Sequence, residues 1–147
     1  MPDSPSLSQA LAALPHGPEF RFIDEITALE PGVSACGLFR VREEAEFLRG
    51  HFPGHPLLPG VILAEAVAQL GGIVLQTRPG IPALAGLKLT AIQRFKIFGS
   101  AGPGATLTVH ARLEQALGTM GQVSGEVKLA DGTVIASGTV MLAGEAA

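Results

Sequence analysis

Glu65 is the residue whose setting most demands a chemical explanation. It lies in the stretch VILAEAVAQLGGIVLQ, Val61 to Gln76, where almost every other position is apolar or small. A carboxylate on a helix of that kind is costly unless it is paired or hydrogen-bonded. No Lys or Arg lies within a turn of it, and the other strongly polar side chain is Gln69, at i+4 on the same helical face. Apolar surroundings favour the protonated form of a carboxyl, which suits a general acid. The plainer alternative is a carboxylate that solvates one side of a watery groove. The lack of any other charge on that face speaks against it. His51 opens the run HFPGHPLLPG, residues 51 to 60, which holds three prolines and two glycines. A histidine held by so constrained a loop can move a proton near neutral pH, although by spacing alone a plain surface or core histidine is the commoner case. Gly60, just ahead of the helix, would let a carbonyl oxygen approach the free backbone N–H groups of the helix N-terminus, an oxyanion site in outline. Pro-Gly before a helix is also common punctuation. His51 and His55 have an H-x-x-x-H spacing, but Pro53 and Pro56 forbid the helix that would bring them together, and no third ligand is evident, so no metal site is expected. His16 and His110 read as a loop and a strand residue, and Cys36 as a small core residue.

These residues need elements to hold them. Ser6 to Leu14 reads as a short helix stopped by Pro15. Phe20 to Leu29 and Val33 to Val41 read as strands joined at Glu30-Pro31-Gly32. Arg42 to Gly50 is charged loop. Val61 to Gln76, apolar all round, reads as a helix buried on every side. Strands are then expected over Ala83 to Thr90, Ala91 to Phe98, Ala105 to Leu117, Gln122 to Ala130 and Thr133 to Leu142, several alternating with period two. Asp131-Gly132 is a strong hairpin signal, and Gly118 to Gly121 a weaker one. A helix that is apolar on all faces needs a sheet that wraps it. The fold class is therefore α+β: a curved antiparallel sheet around one long central helix, in a single domain of residues 1–147 whose first 14 residues form a helical N-terminal segment. An unpaired sheet edge would suit a dimer with a continuous sheet.

Composition narrows the function. The net charge of −3 argues against nucleic-acid binding. Charged residues are only 16% of the chain, which points to extensive burial or an oligomer interface. One cysteine excludes an internal disulfide framework, and the absence of Trp and Tyr removes both from catalysis. The N-terminus has no basic segment followed by a long apolar run, and the most apolar window, Leu57 to Leu75, is broken by Pro59, Glu65, Gln69 and three glycines. Neither a secretory signal nor a membrane span is expected, and the expected location is the cytoplasm. Between Ala66 and Leu113 there is no Asp or Glu, while Arg78, Lys88, Arg94, Lys96 and Arg112 all fall there. Such a basic zone on an acidic chain suggests an anionic partner or a phosphate-bearing ligand. A solvated sheet face would look the same in sequence.

Three blocks then carry a family resemblance: LPHG with FRFIDEI (Leu14 to Ile26), GHFPGHPLLPGVILAEAVAQ (Gly50 to Gln69) and LAGLKLTAIQRFK (Leu84 to Lys96). Together with the strands that follow, they resemble the FabZ-type (3R)-hydroxyacyl-[acyl carrier protein] dehydratases over about Leu14 to Leu142. Related isomerising dehydratases carry Asp where this chain has Glu65. The resemblance implies a hot-dog fold, a dimer that often assembles further into a hexamer as a trimer of dimers, and active sites at the dimer interface that take the histidine from one subunit and the carboxylate from the other. By position, His51 would be the catalytic histidine, Glu65 the catalytic carboxylate, Gly60 the backbone amide facing the thioester oxygen, and Gln69 the residue that orients Glu65. The basic zone, with Arg78, Lys88, Arg94 and Lys96, would meet the phosphopantetheine phosphate and an acidic acyl carrier protein. No cofactor is implied beyond the phosphopantetheine or coenzyme A that carries the substrate. The chain departs from the family where Gly17-Pro18-Glu19-Phe20 replaces the usual Arg-Tyr-Pro-Phe, where Phe95-Lys96-Ile97-Phe98 replaces Phe-Lys-Arg-Pro, and where Pro103-Gly104-Ala105 replaces Pro-Gly-Asp. Acyl length, and a housekeeping against a specialised lipid or polyketide pathway, stay open. So do two other readings: a hot-dog thioesterase in which Glu65 activates water, and a non-catalytic acyl-binding subunit.

Overall fold

A helix without a polar face can be stable only inside the molecule, and that demand organises the chain. The computed structural model describes residues 6–42, Leu48 and residues 58–146. His51 and most of the Pro/Gly-rich run lie outside the described residues. The N-terminal helix α1 (Leu7–Ala12) starts at a capping box, in which the Ser6 hydroxyl takes the Gln9 N–H and the Gln9 side chain takes the Ser6 N–H. Two strands follow, β1 (Glu25–Glu30) and β2 (Ser34–Arg40), then the central helix α2 (Gly60–Gln76), then β3 (Leu84–Ile97), β4 (Thr106–Leu117), β5 (Met120–Lys128) and β6 (Val134–Ala146). The strands form one antiparallel sheet in the order β1-β2-β4-β5-β6-β3. Its inner face, with Phe39, Leu107, Val109, Val123, Val127 and Val140, buries α2 from Ile62 to Leu75 apart from Glu65. This is the α+β hot-dog arrangement.

The helix lies close to the sheet because glycines leave room for it. A Cβ at Gly71 would stand 2.6 Å from Val123 Cγ1 and 3.1 Å from its Cβ, so β5 can approach α2 there only if no side chain intervenes. The β5–β6 hairpin forms at Asp131-Gly132, with Gly132 at φ +91 and the Thr133 N–H donating to Asp131 Oδ1 at 2.9 Å.

Three expectations are corrected. The two strands expected over residues 83–98 are one 14-residue strand. Thr90-Ala91 contains no breaker, and the chain bends instead through shifts of register against β6, the last of them around Arg94, whose φ is +52. The strand expected from Phe20 starts at Glu25, and Pro18–Phe20 is a short 3₁₀ turn. The reason is local: the Phe20 carbonyl and the Phe22 N–H are both bonded to the Gln69 side chain and are not free to join a ladder. Cys36 is not in the core. Ala35 and Phe39 take the inner face of β2, while Cys36 is half-buried on the other face with its sulfur 3.2 Å from His110 Nδ1. Burial pushes the Cys36 thiol up, against a smaller opposite pull from Lys128, so little nucleophilic thiolate forms at neutral pH.

Candidate active site

The site is built where the segment after α1 crosses the first turns of α2. Helical geometry places Glu65 and Gln69 side by side, one turn apart. Gln69 is only 2% exposed, and each atom of its amide has a fixed task. Its Oε1 accepts the Phe22 N–H at 2.8 Å, and its Nε2 donates to the Phe20 carbonyl at 2.9 Å and to Glu65 Oε1 at 3.4 Å. The two backbone bonds set which way the amide points, so the N–H, and not the carbonyl, faces Glu65. Glu65 is the one residue between Ile62 and Leu75 that is not fully buried, with 18% of its side chain exposed.

A second side chain reaches the same carboxyl. His16 Nε2 lies 3.4 Å from Glu65 Oε1. The Arg21 guanidinium donates from Nη2 to the His16 carbonyl at 3.1 Å and to the Leu14 carbonyl at 3.3 Å, which closes the segment into a compact bend. The His16 ring stacks on Phe20, and Phe20 meets Phe22 edge-on, so the histidine is held by an aromatic row that ends at Phe39 in the core. Nothing in the residue types alone singles out His16. The available signal was its place in the Leu14–Ile26 block.

From Glu65 a cavity of about 870 Å³ follows α2 past Ala68, Gly72 and Ile73 to Gln76, between that helix, α1 and the start of β3. At 1.5 Å per residue this is a run of about 16 Å. Its walls are mainly apolar, the composition expected for an alkyl chain. Ala68 and Gly72 leave the space open, and at the far end Gln76 closes onto the chain by two bonds of 2.8 Å with the backbone of Leu84. Arg78 and Lys88 also line the cavity, with no carboxylate partner among the described residues. Arg94 and Lys96 do not line it. They lie six and eight residues beyond Lys88 along β3, on the order of 20–26 Å at the rise of a strand. Gly60 is the first residue of α2, and the end of the Ile97 side chain occupies the place that a Cβ there would take. No group of three or more potential metal-ligating side chains is found among the described residues.

Residues 14–139 match the FabA-like domain family. A 3-hydroxyacyl-[acyl-carrier-protein] dehydratase FabZ of Herpetosiphon aurantiacus is 35% identical over 94% of this chain and 96% of its own, and one of Roseiflexus castenholzii is 33% identical over 94% and 95%. Among solved structures, the dehydratase heterocomplex ApeI:P from Xenorhabdus doucetiae superposes with a TM-score of 0.75 at 18% identity, covering 90% of this chain and 88% of that one. Zebra fish thioesterase superfamily member 2 gives 0.66 at 16%, also covering 90% and 88%. A dehydratase and a thioesterase thus share this fold, and the fold alone does not choose between their chemistries.

Proposed function

This chain belongs to the FabZ-type dehydratases of the FabA-like domain family, and from that premise we propose that it removes water reversibly from (3R)-3-hydroxyacyl thioesters on acyl carrier protein, giving trans-2-enoyl thioesters for fatty-acid or related lipid synthesis. The observation that carries the reading is a single carboxyl at the head of an apolar cavity, held by Gln69 and His16 and continued by space for an alkyl chain. In the reaction, the Cα–H and Cβ–O bonds break and the C=C bond forms. The Gly60 N–H at the start of α2 polarises the thioester carbonyl and stabilises the developing enolate. His51 takes the α-proton, and Glu65 delivers a proton to the departing hydroxyl, which leaves as water. The proton taken by His51 returns to Glu65 through solvent before the next turnover, so the step balances without a further co-reactant, and the only prosthetic group in this reading is the phosphopantetheine, or coenzyme A, of the substrate.

The reading includes a dimer, in which His51 of one subunit serves Glu65 of the other. The free edge of β3 supports it. This strand is one of the two edges of the sheet, and Ile92 and Ile97 are each 52% exposed. Phe98 and Val61, at 61% and 71%, extend the apolar surface to the start of α2. Long apolar edges left open invite pairing, and a second copy covers this one. Further assembly to a hexamer belongs to the same proposal, as does a place in the cytoplasm. Among the described residues no helix is long and apolar enough to cross a membrane.

The test is hydration of crotonyl coenzyme A, read as loss of the conjugated-enoyl absorbance. Loss without free thiol is the expected result. Release of free thiol would identify a thioesterase instead, and neither signal, even with carrier-linked substrate, would leave an acyl-binding subunit. Two further results are expected from the same assay. Gly72→Leu fills the cavity wall, where a Cβ meets only Leu87 Cδ2, at 3.4 Å. Long-chain enoyl thioesters should lose most of their activity while crotonyl thioester keeps its rate, and a uniform effect at all lengths would show that the chain runs elsewhere. Charge reversal at Arg78 and Lys88, and at Arg94 and Lys96 as a separate pair, should raise KM for carrier-linked substrates more than for coenzyme A thioesters. Equal effects on both substrates would remove these residues from carrier docking.

A further inference from the structure

His16 is 49 residues from Glu65 in sequence, yet it reaches the one carboxyl in the central helix. Both its Nε2 and Gln69 Nε2 approach the same oxygen, Oε1, each at 3.4 Å, and among the described residues no donor is bonded to Oε2. The identity of the donating atoms is constrained. Gln69 cannot turn its carbonyl to Glu65 without losing its bonds to Phe22 and Phe20. For His16, Nδ1 is buried with no hydrogen-bond partner among the described residues. A buried N–H without an acceptor is a cost that a bare ring nitrogen mostly avoids, so the tautomer that fits carries its proton on Nε2, toward Glu65.

Two nitrogens that converge on one oxygen have a chemical consequence. With both at Oε1, Oε2 is the oxygen left open to the substrate, and the proton that Glu65 delivers in the reaction passes through it. We propose that His16 is a positioning residue for Glu65, which together with Gln69 pins Oε1 and so assigns the exchanged proton to Oε2. Glu65 then donates and regains its proton from one defined oxygen, with no rotation of the carboxyl between turnovers. Such fixing of a proton donor acts on the chemical step more than on substrate binding. The Gly17-Pro18-Glu19 departure fits this arrangement, since the bend it forms brings the Phe20 ring against His16.

The proposal rests on the dehydratase reading, and its test separates the two. In crotonyl coenzyme A hydration by the full chain, His16→Ala should lower kcat about tenfold, the worth of one bond to a reacting group, with KM changed less than about twofold. His16→Gln, whose amide can donate from a similar position, should recover most of that loss. A wild-type kcat in His16→Ala, a loss confined to KM, or equal losses in the Ala and Gln variants would overturn the proposal. The second arm needs no turnover. The Glu65 carboxyl band, identified in the infrared by its disappearance in Glu65→Gln, should shift in His16→Ala and return toward its original position in His16→Gln. An unmoved band would overturn the positioning role. If the wild-type chain hydrates nothing, the dehydratase reading falls, and the infrared band alone decides whether His16 acts on Glu65.

Discussion

Glu65→Gln, and separately His51→Ala, should each slow enoyl-thioester hydration by about 10²-fold or more while the protein stays folded, the usual worth of a positioned general acid or base. For Glu65 the physical case is direct. Glutamine has nearly the same size and keeps polar atoms beside Gln69 and His16, but it has no proton to give to a leaving hydroxyl. Its insertion removes chemistry and little else, so the thermal transition should stay close to that of the wild type. The change also discriminates between mechanisms. If Glu65 served instead to activate water against the thioester, release of free thiol would be the activity that disappears. For His51 the expectation stands on the Pro/Gly-rich run and on the family resemblance. Steady-state rates on purified, folded variants decide both cases, and near-normal turnover in either variant removes that residue from the mechanism.

Gln69→Leu should have the largest effect on stability. Leucine matches the volume and suits a helix, so packing and propensity change little. The change instead strips partners from the Phe22 N–H and the Phe20 carbonyl, in a place where the side chain that served them is 2% exposed. An unsatisfied buried group costs about 1–3 kcal/mol, and the part-buried Phe20 carbonyl falls at the lower end of that range, so the two together cost about 2–4 kcal/mol. For a chain of this size each kcal/mol is worth about 2–4 °C, and the midpoint should fall by about 4–16 °C. Activity should fall as well, because Gln69 loses its bond to Glu65 and the segment that carries His16 loses its anchor. A thermal melt within about 2 °C of the wild type would show that water or a shifted backbone takes over both groups.

Much of the site was legible because it is local. Glu65 and Gln69 are neighbours through helical periodicity, and a helix over these residues follows from a largely apolar run without proline between Pro59 and Pro79. The departure at Gly17-Pro18-Glu19 was visible too, although not what it does. In sequence His16 is an ordinary loop histidine, because its approach to Glu65 spans 49 residues and no spacing rule reports it. The side of the sheet that Cys36 takes is hidden for a related reason. Every second residue of β2 faces inward, and the stretch ACGLF allows either phase until the strand meets α2.

By itself the sequence determined the kinds of element and their order: an apolar helix that must be enclosed, alternating strands able to enclose it, a hairpin at Asp131-Gly132, and one carboxyl whose burial requires partners. These follow from propensity, periodicity and the cost of burying charge, all of which act over a few residues. Only the tertiary structure decided which partners Glu65 has, that β3 runs unbroken through its bulges, and that a cavity follows α2 from Glu65 to Gln76. Those outcomes depend on surfaces distant in sequence meeting at hydrogen-bonding distance. The Gln69 amide shows how: by binding the backbone of Phe20 and Phe22, it draws the N-terminal segment, and His16 with it, onto the helix.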